Sequence, residues 1–216
     1  LFGITMQNHG GYTYEGPNYN QTIWLDRDAY EEEYKKAPQY LTCLKETDDA
    51  VQYLLRELRY YEEDTIVLMF GDHHPSLGNG FYEDLYGKEF ETLDEEVLRY
   101  TIPFFIWANY DIPEQEGLRI SSNYLGTLTR EVAGLPLSGY DVQLRALMAV
   151  LPVASTAGYV TADGLTVERS EDLPEEIRDR AIYSPHLGGN TGGAFQRALR
   201  QARLHSFAGI DGNLHI

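Results

Sequence analysis

The sequence predicts an α/β fold with a mostly parallel sheet, and three observations predict it. Leu41, Leu44, Val51, Leu54, Leu55 and Leu58 recur at spacings of three, four and seven, the period of an amphipathic helix. Directly after them Ile66-Val67-Leu68-Met69-Phe70 is a short unbroken apolar run, the pattern of a parallel strand covered on both faces. A second such run, Ile102 to Ala108, is followed by two more helical patterns. Helices alternating with buried strands pack as α/β layers.

Taken in order, Leu1 to Met6 is an apolar run that predicts a first buried strand, broken by the turn-prone Gln7-Asn8-His9-Gly10-Gly11. An opening of this kind, with no initiator methionine, is expected of a stretch cut from a longer chain. Tyr12 to about Lys36 is rich in Tyr, Asn and acids without period, which predicts a long surface loop, and loops of that length usually carry function or are disordered. The helix begins after Pro38 and is closed by Asp64-Thr65. Cys43, the only cysteine, lies in its apolar pattern and is expected to be a buried structural thiol.

Pro103 stands near the start of the third expected strand, where its missing amide does least harm. Ser121 or Ser122 can cap a helix through Leu125, Leu128 and Val132, which Gly134 and Pro136 terminate. A further helix through Val142, Leu144, Leu147 and Met148 ends at Pro152. Beyond residue 165 an acidic stretch gives way to Arg197, Arg200 and Arg203, a cationic stripe if residues 194–204 are helical. The expected organisation is a catalytic unit over 1–165 and an appendage over 166–216.

A formal charge of −17 over 216 residues excludes a general nucleic-acid binder, which needs a basic surface. An anionic substrate must then meet a local positive charge, and a metal ion can provide it. The chemistry-bearing residues follow the apolar runs. Phe70-Gly71-Asp72-His73-His74-Pro75 comes where a strand ends, the place at which open α/β sheets bind ligands. Asp72 and His73 offer a hard oxygen and an imidazole nitrogen to one divalent cation. On residues alone the alternative is that Asp72 caps the next turn and the histidines are ordinary loop residues. His9, between Asn8 and two glycines, is the second candidate; the alternative is a loop histidine bonded to nearby backbone. Arg27 and Trp24 can hold an anion and stack on a substrate, whereas His186, His205 and His215 lack carboxylates at ligand spacing.

Four segments stand in one order: Thr5-Met6-Gln7-Asn8-His9-Gly10, Thr65 to His73, Pro103-Phe104-Phe105-Ile106-Trp107-Ala108-Asn109-Tyr110, and Ser122-Asn123-Tyr124-Leu125. In them the chain resembles the lipoteichoic acid synthase, or phosphoglycerol transferase, group of the sulfatase superfamily, from residue 1 to about 165. The resemblance implies the C-terminal half of an alkaline-phosphatase-like α/β/α sandwich, held outside the cell by membrane helices elsewhere in the protein. It implies a divalent ion, most often manganese with magnesium, calcium or zinc as alternatives, for which Asp72 and His73 match the downstream ligands. His9 matches a substrate-contacting catalytic histidine, and His74 falls outside the metal shell.

The implied reaction is attack by a threonine alkoxide on a glycerophosphate phosphorus, expulsion of diacylglycerol from phosphatidylglycerol, and passage of the group to a polymer hydroxyl or to water. The nucleophilic threonine and a metal-binding glutamate have no match before His9, and Thr5 lies inside the apolar run. The expectation is that these residues alone are inactive and bind metal weakly. A partial sheet with an exposed edge is expected to dimerise or to be marginally stable. Two other functions stay open: a sulfate-ester hydrolase on the same fold, and a non-catalytic cell-envelope binding or structural module.

Overall fold

A computed structural model of the chain describes residues 1–14, 19–25 and 34–182. The long apolar-periodic segment forms helix α1, Ala37–Leu58, with Pro38 in its first turn, where a proline's missing amide has no partner to lose. Strand β1, Ile66–Phe70, follows and pairs with β2, Phe104–Ala108. Between the strands lie two short helices, α2 (Asn79–Tyr86) and α3 (Leu93–Arg99). Helix α3 is set by a capping box, in which the Thr92 hydroxyl accepts the Glu95 amide and the Glu95 carboxylate accepts the Thr92 amide.

The pairing of β1 with β2 is antiparallel, Ile66 opposite Ala108 and Phe70 opposite Phe104. This corrects the parallel pairing expected of Ile66–Phe70. The α2–α3 connection brings the chain back beside β1 in the opposite sense, and among the described residues no strand lies on the far edge of β1. Its faces are accordingly half-buried rather than sealed. The α/β class itself holds.

The first expected strand is also corrected. Leu1 to Met6 is extended but joins no ladder, with Leu1, Phe2, Ile4 and Met6 all exposed. An apolar run becomes a strand only where a neighbour accepts its backbone bonds, and none of the described strands lies beside it. Leu44 and Leu54 of α1 are likewise exposed, and Cys43 is half-buried.

Helices α4 (Leu125–Val132) and α5 (Gly139–Met148) form as the periodicity predicts. Asp141 joins them: it closes a capping box with Ser138 and accepts the Thr127 hydroxyl at 2.9 Å. A meander of β3 (Val153–Ala154), β4 (Tyr159–Val160) and β5 (Thr166–Val167), then helix α6 (Glu175–Ile182), complete the described chain.

Packing runs straight through residue 165. Strands β4 and β5 pair on either side of it, and Leu173 lies in one core with Tyr124, Leu144, Leu147 and Leu151. A second core, of Tyr12, Ala37, Leu77 and Tyr82, lies beneath the loops that carry the candidate residues. The arginine stripe and His186, His205 and His215 fall outside the described residues.

Candidate functional site

Two loops converge on that second core. The first is the turn at His9, whose amide bonds back to the Met6 carbonyl at 3.1 Å. Its flanks are tied to α1: Gln7 donates to the Glu46 carboxylate, and the Thr47 hydroxyl lies 3.2 Å from Asn8 Oδ1. Tyr12 then turns the chain inward at φ 42°, a left-handed backbone that a tyrosine adopts only when its surroundings hold it there. Here the ring is buried edge-on against Tyr40, centroids 5.5 Å apart, and the hydroxyl donates to the Asn8 carbonyl at 2.6 Å. His9 itself is left exposed.

The second loop leaves the end of β1. Asp72 and His73 are exposed, their side chains 83% and 75% accessible. Asp72 Oδ1 accepts the His73 amide at 3.0 Å, which fixes the carboxylate, and Oδ2 lies 3.6 Å from His73 Nε2. His73 Nδ1 lies 2.8 Å from the His74 carbonyl oxygen. A carbonyl can only accept, so in this bond Nδ1 carries the proton, and in the neutral ring Nε2 then has the lone pair. An imidazole acceptor nitrogen and a carboxylate oxygen therefore face the same side.

Both loops share one backing. Burial raises the Tyr12 pKa first, then Tyr40 and Cys43, and the negative charge of Asp72 adds to the rise, so Asp72 at the strand end lies within electrostatic reach of Tyr12. Beneath the second loop, the His74 ring meets Tyr82 at 5.2 Å, and burial lowers its pKa and keeps it neutral. Its Nε2 is buried without a hydrogen-bond partner. The ring packs on Tyr82 beneath the loop.

The donor set fits a divalent ion as far as it goes. Asp72 and His73 supply oxygen and nitrogen of suitable kind, with the second imidazole nitrogen bonded to a carbonyl as metal-bound histidines usually have it. Among the described residues no group of three or more His, Cys, Asp or Glu comes together that could hold a metal ion. Asp72 and His73 thus stand as two donors. Trp24 is exposed, on a segment held to α1 by the buried Thr42 hydroxyl, which accepts the Thr22 and Ile23 amides at 3.2 Å each. Arg27 lies outside the described residues. Tyr12 and Tyr82, which hold the two loops, carry no motif spacing, and sequence reasoning passed over both.

Residues 1–134 match the family described as Sulfatase, and the chain belongs to that family. A Rhizobium meliloti (strain 1021) protein named for cyclic beta-1,2-glucan modification is 27% identical over 140 residues, 62% of this chain. Among solved structures, Streptococcus pyogenes phosphoglycerol transferase GacH, in complex with sn-glycerol-1-phosphate, superposes with a TM-score of 0.52 at 19% identity over 80% of this chain. That likeness shows the fold, the alkaline-phosphatase-like one that the four sequence segments imply. The chain spans 22% of the Rhizobium protein and 40% of the GacH chain.

Proposed function

We propose that this chain provides the downstream metal ligands and the phosphoryl-contacting histidine of an enzyme that transfers phosphoglycerol. One observation carries the reading: His73 Nε2, left as an acceptor by the bond from Nδ1 to the His74 carbonyl, stands 3.6 Å from Asp72 Oδ2 at an exposed strand end. An aspartate that merely caps its own turn needs no such neighbour. The sn-glycerol-1-phosphate carried by GacH supports a glycerophosphate substrate, with phosphatidylglycerol or a glycerophosphate polymer as its source. The name of the Rhizobium protein supports a glucan hydroxyl as one acceptor.

Asp72 and His73 would hold a divalent ion, manganese for preference, which would supply charge that draws electrons from the phosphoryl oxygens in the transition state. His9, exposed on its turn, donates a hydrogen bond to a phosphoryl oxygen and passes a proton to or from the exchanging hydroxyl. The nucleophile is not assigned to any residue of this sequence; Thr5 lies on an exposed extended segment.

The same reading puts the domain at the cell surface, anchored by membrane helices elsewhere in the whole protein. No helix among the described residues is long and apolar enough to cross a membrane. Exposed Leu1, Phe2, Ile4 and Met6 support burial of this face against another part of the protein or a second copy.

Calorimetric titration of the whole protein with manganese tests the proposal. Binding of one ion, lost in both Asp72→Ala and His73→Ala, supports it. Binding indifferent to both substitutions removes the metal site from these residues and leaves a non-catalytic envelope module as the better account.

A further inference from the structure

The orientation of His73 depends on one carbonyl, and that carbonyl belongs to a segment with an unusual anchor. Pro75 follows His74, and its own carbonyl accepts two bonds, from the Leu77 amide at 3.1 Å and from the Tyr82 hydroxyl. Tyr82 is 2% exposed and lies on α2, a separate element. Its ring also carries the His74 imidazole edge-on at 5.2 Å. The Arg99 guanidinium sits 5.0 Å from the centre of the Tyr82 ring and is itself held by Asn79 Oδ1 at 2.7 Å. One side chain thus holds the segment immediately after the metal-ligand candidate at two points, the Pro75 carbonyl through its hydroxyl and the His74 imidazole through its ring.

We propose that Tyr82 is the positioning residue of the Asp72–His73 pair: it holds the His74–Pro75 main chain so that the His74 carbonyl accepts Nδ1–H of His73 and leaves Nε2 free to bind a cation. This rests on the metal-site reading for its purpose, though the orientation itself can be read without metal. Outer-layer partners of this kind typically account for about ten- to a hundredfold in metal affinity. Tyr82 touches neither ion nor substrate in this arrangement and acts through the backbone it holds.

The test reads the His73 tautomer directly, by nitrogen-15 NMR above the imidazole titration range, in the wild type, in Tyr82→Phe and in Tyr124→Phe. Tyr124 is the control, a buried tyrosine whose hydroxyl donates to the Leu151 carbonyl at 2.9 Å in the other core. The expected result is Nδ1–H in the wild type, a shift toward Nε2–H in Tyr82→Phe, and no shift in Tyr124→Phe. A wild-type His73 protonated on Nε2 overturns the proposal without any variant. So does an unmoved tautomer in Tyr82→Phe, or an equal movement in Tyr124→Phe.

Manganese titration of the whole protein adds a second readout, with affinity in Tyr82→Phe expected to fall about tenfold. Unchanged affinity there, alongside loss of binding in Asp72→Ala, overturns the positioning role and leaves the metal site standing. Binding that ignores Asp72→Ala instead sinks the metal site itself.

Discussion

The hydroxyl of Tyr12 donates to the carbonyl of Asn8 at 2.6 Å and so braces the turn that presents His9. The bond is made by a residue in left-handed backbone, so the ring must be held for the turn to keep its shape. Tyr12→Phe keeps the ring on Tyr40 and removes only the bond. Its expected cost is about 1 kcal/mol of stability, with faster amide exchange concentrated at residues 8–11. Exchange that stays as slow as in the wild type would show that the His9 turn is held by other means.

Glu95 gives the fold a pH signature. Hydrogen bonds from the Thr92 amide, then its hydroxyl and the Glu91 amide, hold its pKa down from 4.5 to about 2. The folded state therefore favours the charged form. Its contribution is complete above the unfolded value of 4.5 and is lost as pH falls toward about 2. The melting-temperature gap between wild type and Glu95→Gln is expected to be constant near neutrality and to close over that acidic interval. A gap that widens on acidification contradicts the assignment.

Asn109 ties α1 to the sheet. Its Oδ1 accepts the Thr65 amide at 2.7 Å, and its Nδ2 faces the carbonyls of Leu58, Tyr61 and Glu63 at 3.3, 3.1 and 3.0 Å. Leu58 is the last residue of α1, and Tyr61 and Glu63 lie in the connection from it to β1. Asn109→Ala is expected to destabilise by about 2 kcal/mol in denaturant titration. Asn109→Asp should fare no better, because it keeps the acceptor but turns a charge toward carbonyl oxygens.

Two glycines should respond in opposite senses to alanine. At Gly158 a Cβ would lie 2.8 Å from the Val167 carbonyl oxygen and 3.3 Å from Leu93, so the meander must shift, at about 1–3 kcal/mol. At Gly126, inside α4, nothing lies within 4 Å, and alanine is expected to add up to about 1 kcal/mol through helix propensity. Thermal melts of the two variants check both, and a stable Gly158→Ala would place β5 further from β4 than the structure has it.

Some of this architecture could be read along the chain and some could not. The α1 periodicity, the β1 and β2 runs and the α4 and α5 helices are local patterns, and all five form. Helix α3 had a signature that went unread, Thr92 three residues before Glu95, the spacing of a capping box. Helix α2 had none, since it starts at Gly78 with φ 94° and no side-chain cap. Leu1 to Met6 looked like a strand because composition reports what a segment would bury, and it is silent on whether a partner lies alongside.

The same division runs through the site. Sequence by itself determined which groups stand at the strand end and the turn, Asp72, His73 and His9, because apolar runs and glycine-rich breaks are local and mark where a chain leaves a sheet. Only tertiary structure decided the antiparallel β1–β2 register and the burial of Tyr12 and Tyr82 under the two loops. Those depend on contacts between residues far apart in the chain. Their free energy comes from apolar surface and hydrogen bonds brought together by folding, which no local pattern encodes.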